Sequence, residues 1–279
     1  MPEDVTIAAP ATRRTEAPRT PGARTPRPAQ TCRVWWARPT RFSVRDLEVL
    51  STVERERRES THRADDQDRF TTGAVLLRLA LGSALGIPPQ NVPIDRRCPE
   101  CQGAHGRPRV PGILGVDCSV THTESQVGIA VVRGRRIGID AEEVVEQDEF
   151  DDLAATALTQ RERASLARRP RRCRAKAFTE LWTAKEAALK ATGDGLRVCP
   201  SALEVCATGT GLRFTRLPDI PALARGAVLR PLRPRAGVAT LAVLGREPVT
   251  VHESPASALF GGASATPADA TGHFFGDRA

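Results

Sequence analysis

The sequence predicts an α+β chain built from two comparable halves. Two observations carry this. A helix-then-strand succession appears once on each side of residue 125, and the 279 residues suffice for one large domain or two small ones. Both ends lack core-forming residues: Pro2 to Gln30 is Pro-, Thr-, Arg- and Ala-rich, and Ser254 to Ala279 is Ala-, Gly-, Ser- and Pro-rich. Such stretches bury too little apolar surface to offset the entropy of ordering. The expected organisation is a basic disordered tail (1–30), two halves (31–125 and 126–252) and a second disordered tail (253–279).

The elements follow in order. Arg33 to Ala37 (RVWWA) is β-branched and aromatic and ends near Pro39, which predicts a strand. Ser43 with Asp46 three residues on approximates a capping box, opening a helix through Leu47, Leu50 and Val53 into the charged run Glu54–Glu59. A second helix covers about Asp66 to Leu85, with Val75, Leu76, Leu79 and Ala80 at helical spacing and Gly86 after it. A Cys-, Gly- and Pro-rich loop spans Arg96 to Gly112. Gln126 to Val132 and Arg136 to Ala141 read as a hairpin turning at Gly134. Phe150 to Leu158 is a short helix; Thr159 with Glu162 caps another, stopped by Pro170. Ala175 to Ala191 is a helix with Gly193 as its C′ residue. Leu203–Cys206, Gly211–Leu217 and Val238–Leu244 read as strands.

Composition narrows the function. Lys plus Arg number 41 against 33 Asp plus Glu, a net charge of +8, which favours anionic partners. With no Tyr and three Trp, platforms for stacking bases are scarce. No apolar run reaches the roughly 18–20 residues of a membrane helix, and the N-terminus has no apolar signal core. Seven scattered cysteines argue for a reducing cytoplasm.

Two segments carry chemistry. In Gly138-Ile-Asp-Ala-Glu142, a strand points Asp140 and Glu142 to the same face, about 7 Å apart. Carboxylates so close repel unless a cation lies between them, and oxygen ligands suit magnesium. In Trp182-Thr-Ala-Lys-Glu-Ala-Ala-Leu-Lys190, Glu186 and Lys190 are four apart and share a helix face, with Trp182 one turn earlier. The flexible run Thr192-Gly-Asp-Gly-Leu196 follows. Alone, the first segment reads equally as solvated acids at a strand end, and the second as an amphipathic helix with a Glu–Lys pair.

Together, GIDAE and WTAKEAALKATGDGL, about forty residues apart, resemble the two signature motifs of the 4′-phosphopantetheinyl transferase superfamily. Chain length and a recognisable first half resemble its surfactin-synthetase-activating (Sfp-like) type. Glu54-Arg-Glu-Arg57 with Asp68 to Arg78 looks like that type's nucleotide-binding half; His105-Gly-Arg-Pro108 is similar to its basic turn, and Val120-Thr-His-Thr123 to its Ser-His motif, with Thr121 where Ser is usual. The resemblance runs from about Trp35 to Leu196.

The resemblance implies two halves related by a pseudo-twofold, with coenzyme A bound between them. Arg69 would read the 3′-phosphate or adenine end, with Arg57 and Arg63 as weaker candidates; Arg107, Thr121 and His122 would hold the phosphates. Asp140, Glu142 and Glu186 would hold magnesium, with Asp140 also on the cofactor side. Glu186 would be the general base, and Lys185 and Lys190 would neutralise the leaving 3′,5′-ADP, Lys190 also as proton donor. The product would be a holo acyl or peptidyl carrier protein of fatty-acid, polyketide or nonribosomal peptide synthesis. The enzyme would be a cytoplasmic monomer, without nucleic acid or membrane partners.

The basic run Arg168–Arg174 with Lys176 offers an acidic carrier a face, or is a solvated loop; Leu153, Leu158 and Leu166 are docking or core positions. Cys98-Pro-Glu-Cys101, with His105 and Cys118, is a zinc half-site. That gives the rival reading, a basic zinc-containing nucleic-acid-binding module, which leaves GIDAE and WTAKEAALK unexplained.

Overall fold

The computed structural model describes residues 30–144, 150–209 and 211–260. The first half contains β1 (Gln30–Ala37), α1 (Thr52–Glu59), α2 (Ala64–Leu85), β2 (Val116–His122) and β3 (Val127–Arg133). The second contains β4 (Ile137–Glu142), α3 (Phe150–Ala157), α4 (Gln160–Ala167), α5 (Arg171–Thr192), β5 (Glu204–Thr208), β6 (Gly211–Arg216), β7 (Ala227–Leu232) and β8 (Val238–Leu244). β9 (Val249–Pro255) and α6 (Ser257–Phe260) return to the first half.

One sheet has the order β2-β3-β1-β9, a second β4-β8-β7, and β5-β6 form a separate pair. Each half lays one 22-residue helix on its own sheet, which is the α+β, two-half arrangement expected from the sequence. α2 buries Leu76, Leu77, Ala80 and Leu81 against Trp35, Val127, Ile129 and Val131. α5 offers a face of small residues, Ala184, Ala187, Ala188 and Ala191, all fully buried. That face permits very close approach to β4: a Cβ on Gly138 would collide with Ala187 O and Ala191 N, so the motif's glycine is a packing requirement. A third core of Val34, Val132, Ile137, Ile139, Leu241 and Val243 joins the two sheets.

The halves meet along an unusual seam. The N–H groups of Ile137, Ile139 and Ala141 donate to Asp117 Oδ2, Ser119 Oγ and Thr121 Oγ1 at 2.8, 3.1 and 3.0 Å. Side chains from one face of β2 thus take the place of a backbone ladder and satisfy the free edge of β4. Arg107 bolts the seam, with Nη2 donating to Asp117 Oδ2 at 2.5 Å and to Ile137 O at 2.7 Å.

Several expectations are corrected. The segments at 126–132 and 136–141 are not a hairpin: β3 has both edges taken by β1 and β2, so β4 crosses to pair with β8. The helix expected from Ser43 breaks in two: a short 3-10 turn, Asp46–Val49, ends where Leu50 extends. Ser51 and Glu54 then form their own capping box for α1. α5 starts at Arg171, so Arg171, Arg172 and Arg174 belong to its first turn rather than to a loop. β7 was not foreseen, since Arg230 and Pro231 mask it; as a sheet edge it tolerates the proline.

The boundary at 252 also moves. β9 pairs in parallel with β1 as far as Pro255, Trp36 Nε1 donates to Glu253 Oε2 at 2.9 Å, and Ala256 is buried. Of the expected tails 1–30 and 253–279, residues 1–29 and 261–279 lie outside the described residues. Leu158 and Leu166 are core, whereas Leu153 is 41 % exposed. No helix among the described residues is long and apolar enough to cross a membrane.

Candidate active site in the cleft between the halves

A cleft of about 600 Å³ opens between the halves. Arg57, Arg69, Arg96, Arg107, His105 and His122 line it from the first half, and Lys190 and Arg197 from the second. The cations shape one another. His122, at the end of β2, has its pKa lowered by partial burial and then by Lys190 and Arg69. Burial likewise lowers the pKa of Arg57 and of Arg96. The Nε groups of Arg96 and Arg107 are buried without a partner. Unmet guanidinium donors around a cationic cleft suit a polyphosphate.

Behind Lys190 lie the acids. Lys190 Nζ donates to Asp140 Oδ1 at 2.6 Å, joining the cleft to the acid cluster. Asp140 Oδ2 and Glu186 Oε1 are buried without a hydrogen-bond partner. Burial, and then Asp140, push the Glu186 carboxyl up to about 7, a rise that Lys190 partly opposes. Glu142 is raised for the same two reasons, and accepts from Trp182 Nε1 at 3.4 Å. Two orphaned carboxylate oxygens beside a third acid fit a hard divalent cation, as magnesium is. Among the described residues these acids do not bring three ligand atoms within 4.8 Å of one another. Lys190 occupies part of the space instead.

The structure therefore brings Asp140, Glu142, Glu186 and Lys190 together, and opens Arg57, Arg69, Arg107 and His122 onto the cleft beside them. Arg69 is paired with Asp66, and Arg57 stacks over the Phe70 ring and donates to Ala104 O at 2.6 Å.

Three expected residues fall outside. Lys185 is fully buried and donates to Glu162 Oε2 at 2.6 Å and Ala157 O at 2.8 Å. One residue before Glu186 is a turn of about 100° around the helix, which points Lys185 away from the acids and into the core of its own half. Thr121 is also buried, its hydroxyl committed to Ala141 N in the seam. His122, the next residue, necessarily faces the other way. Arg63, at the N-cap of α2, is exposed and pairs with Asp66; it lines a separate depression. Sequence reasoning missed Arg96 and Arg197, which no motif singled out.

Residues 136–224 match the family model described as the 4′-phosphopantetheinyl transferase superfamily. Over this segment the chain is similar to that superfamily. The match covers β4 and α5, and so every acid of the cluster and Lys190. HetI, a 4′-phosphopantetheinyl transferase of Nostoc sp., is 33 % identical over 151 residues, covering 53 % of this chain and 61 % of that protein. The 4′-phosphopantetheinyl transferase of Bacillus subtilis is 24 % identical over 189 residues, covering 67 % and 80 %. The chain thus aligns with about three fifths of the Nostoc protein. Among solved structures, a holo-(acyl-carrier-protein) synthase from Bacillus anthracis, in complex with CoA (3′,5′-ADP), matches at a TM-score of 0.33. It is 22 % identical, covering 39 % of this chain and 94 % of that one. The segment that matches the family model carries the acids, while the arginines at 57, 69 and 96 lie outside it.

Proposed function

We propose that this protein transfers the 4′-phosphopantetheine arm of coenzyme A to a serine of an apo acyl or peptidyl carrier protein, as an Sfp-like transferase acting in the cytoplasm. One observation carries the reading: Asp140 and Glu186 each bury an oxygen without a partner, and Lys190, bonded to the other oxygen of Asp140, links them to the edge of an arginine-lined cleft. It is supported by the match of residues 136–224 to the superfamily model.

The adenosine end with its 3′-phosphate would lie toward Arg69, Arg57 and Arg96, and the pyrophosphate toward His122, Arg107 and Lys190. Asp140, Glu142 and Glu186 would hold magnesium, which supplies charge neutralisation and orientation of the pyrophosphate. The serine hydroxyl attacks the β-phosphorus of the coenzyme, forming the new P–O bond. The bond from that phosphorus to the bridging oxygen breaks, and 3′,5′-ADP leaves with the electron pair. Glu186 would accept the hydroxyl's proton, directly or through a metal-bound water. Lys190 Nζ balances charge on the departing oxygen and can protonate it. Phosphoryl transfer of this kind depends chiefly on positioning and charge, which the converging cations provide.

The carrier would be acidic around its serine. Exposed Arg168, Arg171 and Arg172 stand at the start of α5, the helix that bears Glu186 and Lys190, and offer it a complementary surface. Incubation with coenzyme A, magnesium and a panel of apo carrier proteins, read by intact mass, tests the proposal. A gain of one phosphopantetheine on a carrier supports it; no gain on fatty-acid, polyketide or peptide-synthetase carriers sinks it.

A further inference from the structure

The outer wall of the cleft holds a second cluster that the transfer chemistry does not use. Cys98, Cys101 and His105 each place a ligand atom within 4.8 Å of the other two, the one such set among the described residues. Cys101 Sγ and His105 Nε2 are 2.8 Å apart. The backbone is folded to make this possible. Gln102 adopts a left-handed φ of 60°, Cys98 N donates to Gly103 O at 2.8 Å, and Gln102 N donates to Cys98 O at 3.0 Å. The N–H groups of Glu100 and Cys101 point back at the Cys98 sulfur, where they favour the thiolate. A Cβ on Gly103 would stand 3.1 Å from His105 Cδ2 and 3.3 Å from Cys101 Sγ, so a larger residue would crowd the ligands.

We propose that Cys98 Sγ, Cys101 Sγ and His105 Nε2 bind a zinc ion, with a water in the fourth position. Two thiolates and an imidazole are soft and borderline donors, which select zinc over magnesium; the acid cluster across the cleft has the opposite preference. Cys118 is not the fourth ligand, since it is fully buried and its thiol faces Pro108 O at 3.8 Å. Glu100 is not either, as it is turned to Arg197 at 3.7 Å. Binding releases the two thiol protons to solvent and replaces the Cys101–His105 contact with two metal bonds.

The ion would fix a strategic loop. Arg57 grips the same loop through Ala104 O at 2.6 Å, and Arg96 and Arg107 flank it on either side. Zinc would therefore hold the wall that presents the cleft's arginines, and with two thiolates would do so at no net change in charge. The proposal stands apart from the transfer reading, because metal content is measured without any transfer assay.

The test is elemental analysis of the full chain purified under reducing conditions from zinc-supplemented medium. About one zinc per chain is expected, with a loss of at least ~10-fold in Cys98→Ser and in Cys101→Ser. Asp140→Asn should keep its zinc. Should the serine variants fail to fold, the wild type still decides. Zinc should shield two thiols from alkylation until a chelator is added, and cobalt in its place should give a thiolate charge-transfer band. Zinc-free protein whose thiols alkylate at the same rate with and without added zinc would overturn the proposal. So would a Cys98–Cys101 disulfide formed in preference to metal binding under these conditions.

Discussion

Replacing Glu186 with glutamine should make the metal-free protein more stable while destroying its activity. Glu186 is 8 % exposed, its Oε1 has no partner, and its carboxyl is raised from 4.5 to about 7. The sign follows from linkage. A carboxyl raised in the folded state costs nothing below its unfolded value, and the cost grows as pH climbs toward the folded value. Holding the charged carboxyl in this site costs on the order of 1–3 kcal/mol once screening and relaxation are allowed for. Glu186→Gln should therefore gain about 1–3 kcal/mol over the wild type at pH 8 in a chelator, and nearly nothing near pH 4. Urea denaturation at both pH values reads it. Magnesium should then stabilise the wild type and not the variant, because only the charged acid favours the ion. A variant less stable than the wild type at pH 8 in chelator would refute the reasoning, since it would make the acid cluster a stabilising feature rather than a strained one.

Lys185→Met should cost about 3–5 kcal/mol in denaturation, because it strands Glu162, which also accepts from Thr159 N and Val205 N at 2.7 Å. Weaker coenzyme A binding at unchanged stability would return Lys185 to the cofactor site. Arg69→Ala should weaken coenzyme A binding by about 1.5–3 kcal/mol, and dephospho-coenzyme A binding less, in titration calorimetry; equal losses would remove Arg69 from the 3′-phosphate. Reversing Arg168 and Arg172 to Glu should raise the KM for carrier protein and leave coenzyme A binding unchanged, and wild-type KM should rise with salt. An unchanged carrier KM would move docking elsewhere. A chain ending at Val251 should lose stability, since it removes the Glu253 acceptor of Trp36 Nε1 and the last rungs of β9 on β1; unchanged denaturation would show β9's end to be dispensable.

How much was legible follows from where the signal lived. Side-chain periodicity foretold that the acids and Lys190 would lie near one another, because alternation along β4 and four-residue spacing along α5 survive folding intact. The same arithmetic, carried one step further, argues against two of the assignments taken from the resemblance. Lys185 cannot share the face of its neighbour Glu186, and Thr121 cannot share that of His122. Both polar groups instead serve the framework: Lys185 in a buried pair with Glu162, Thr121 as acceptor for the edge of β4. Strand pairing was not legible, because the partners of β4 and of β9 lie about a hundred and two hundred residues away and the pairing rests on backbone groups common to every residue. Arg96 and Arg197 were invisible because what draws them to the cleft is the folding of a loop, not a pattern.

The most direct measurement follows both products at once: phosphopantetheine gained by an apo carrier, by intact mass, and adenosine 3′,5′-bisphosphate released, by chromatography. The account predicts equal amounts of the two in magnesium, none of either in excess chelator, and at least a ~100-fold lower rate for Asp140→Ala. Full transfer in chelator, or by Asp140→Ala, would contradict the claim that the acid cluster and its metal carry the reaction.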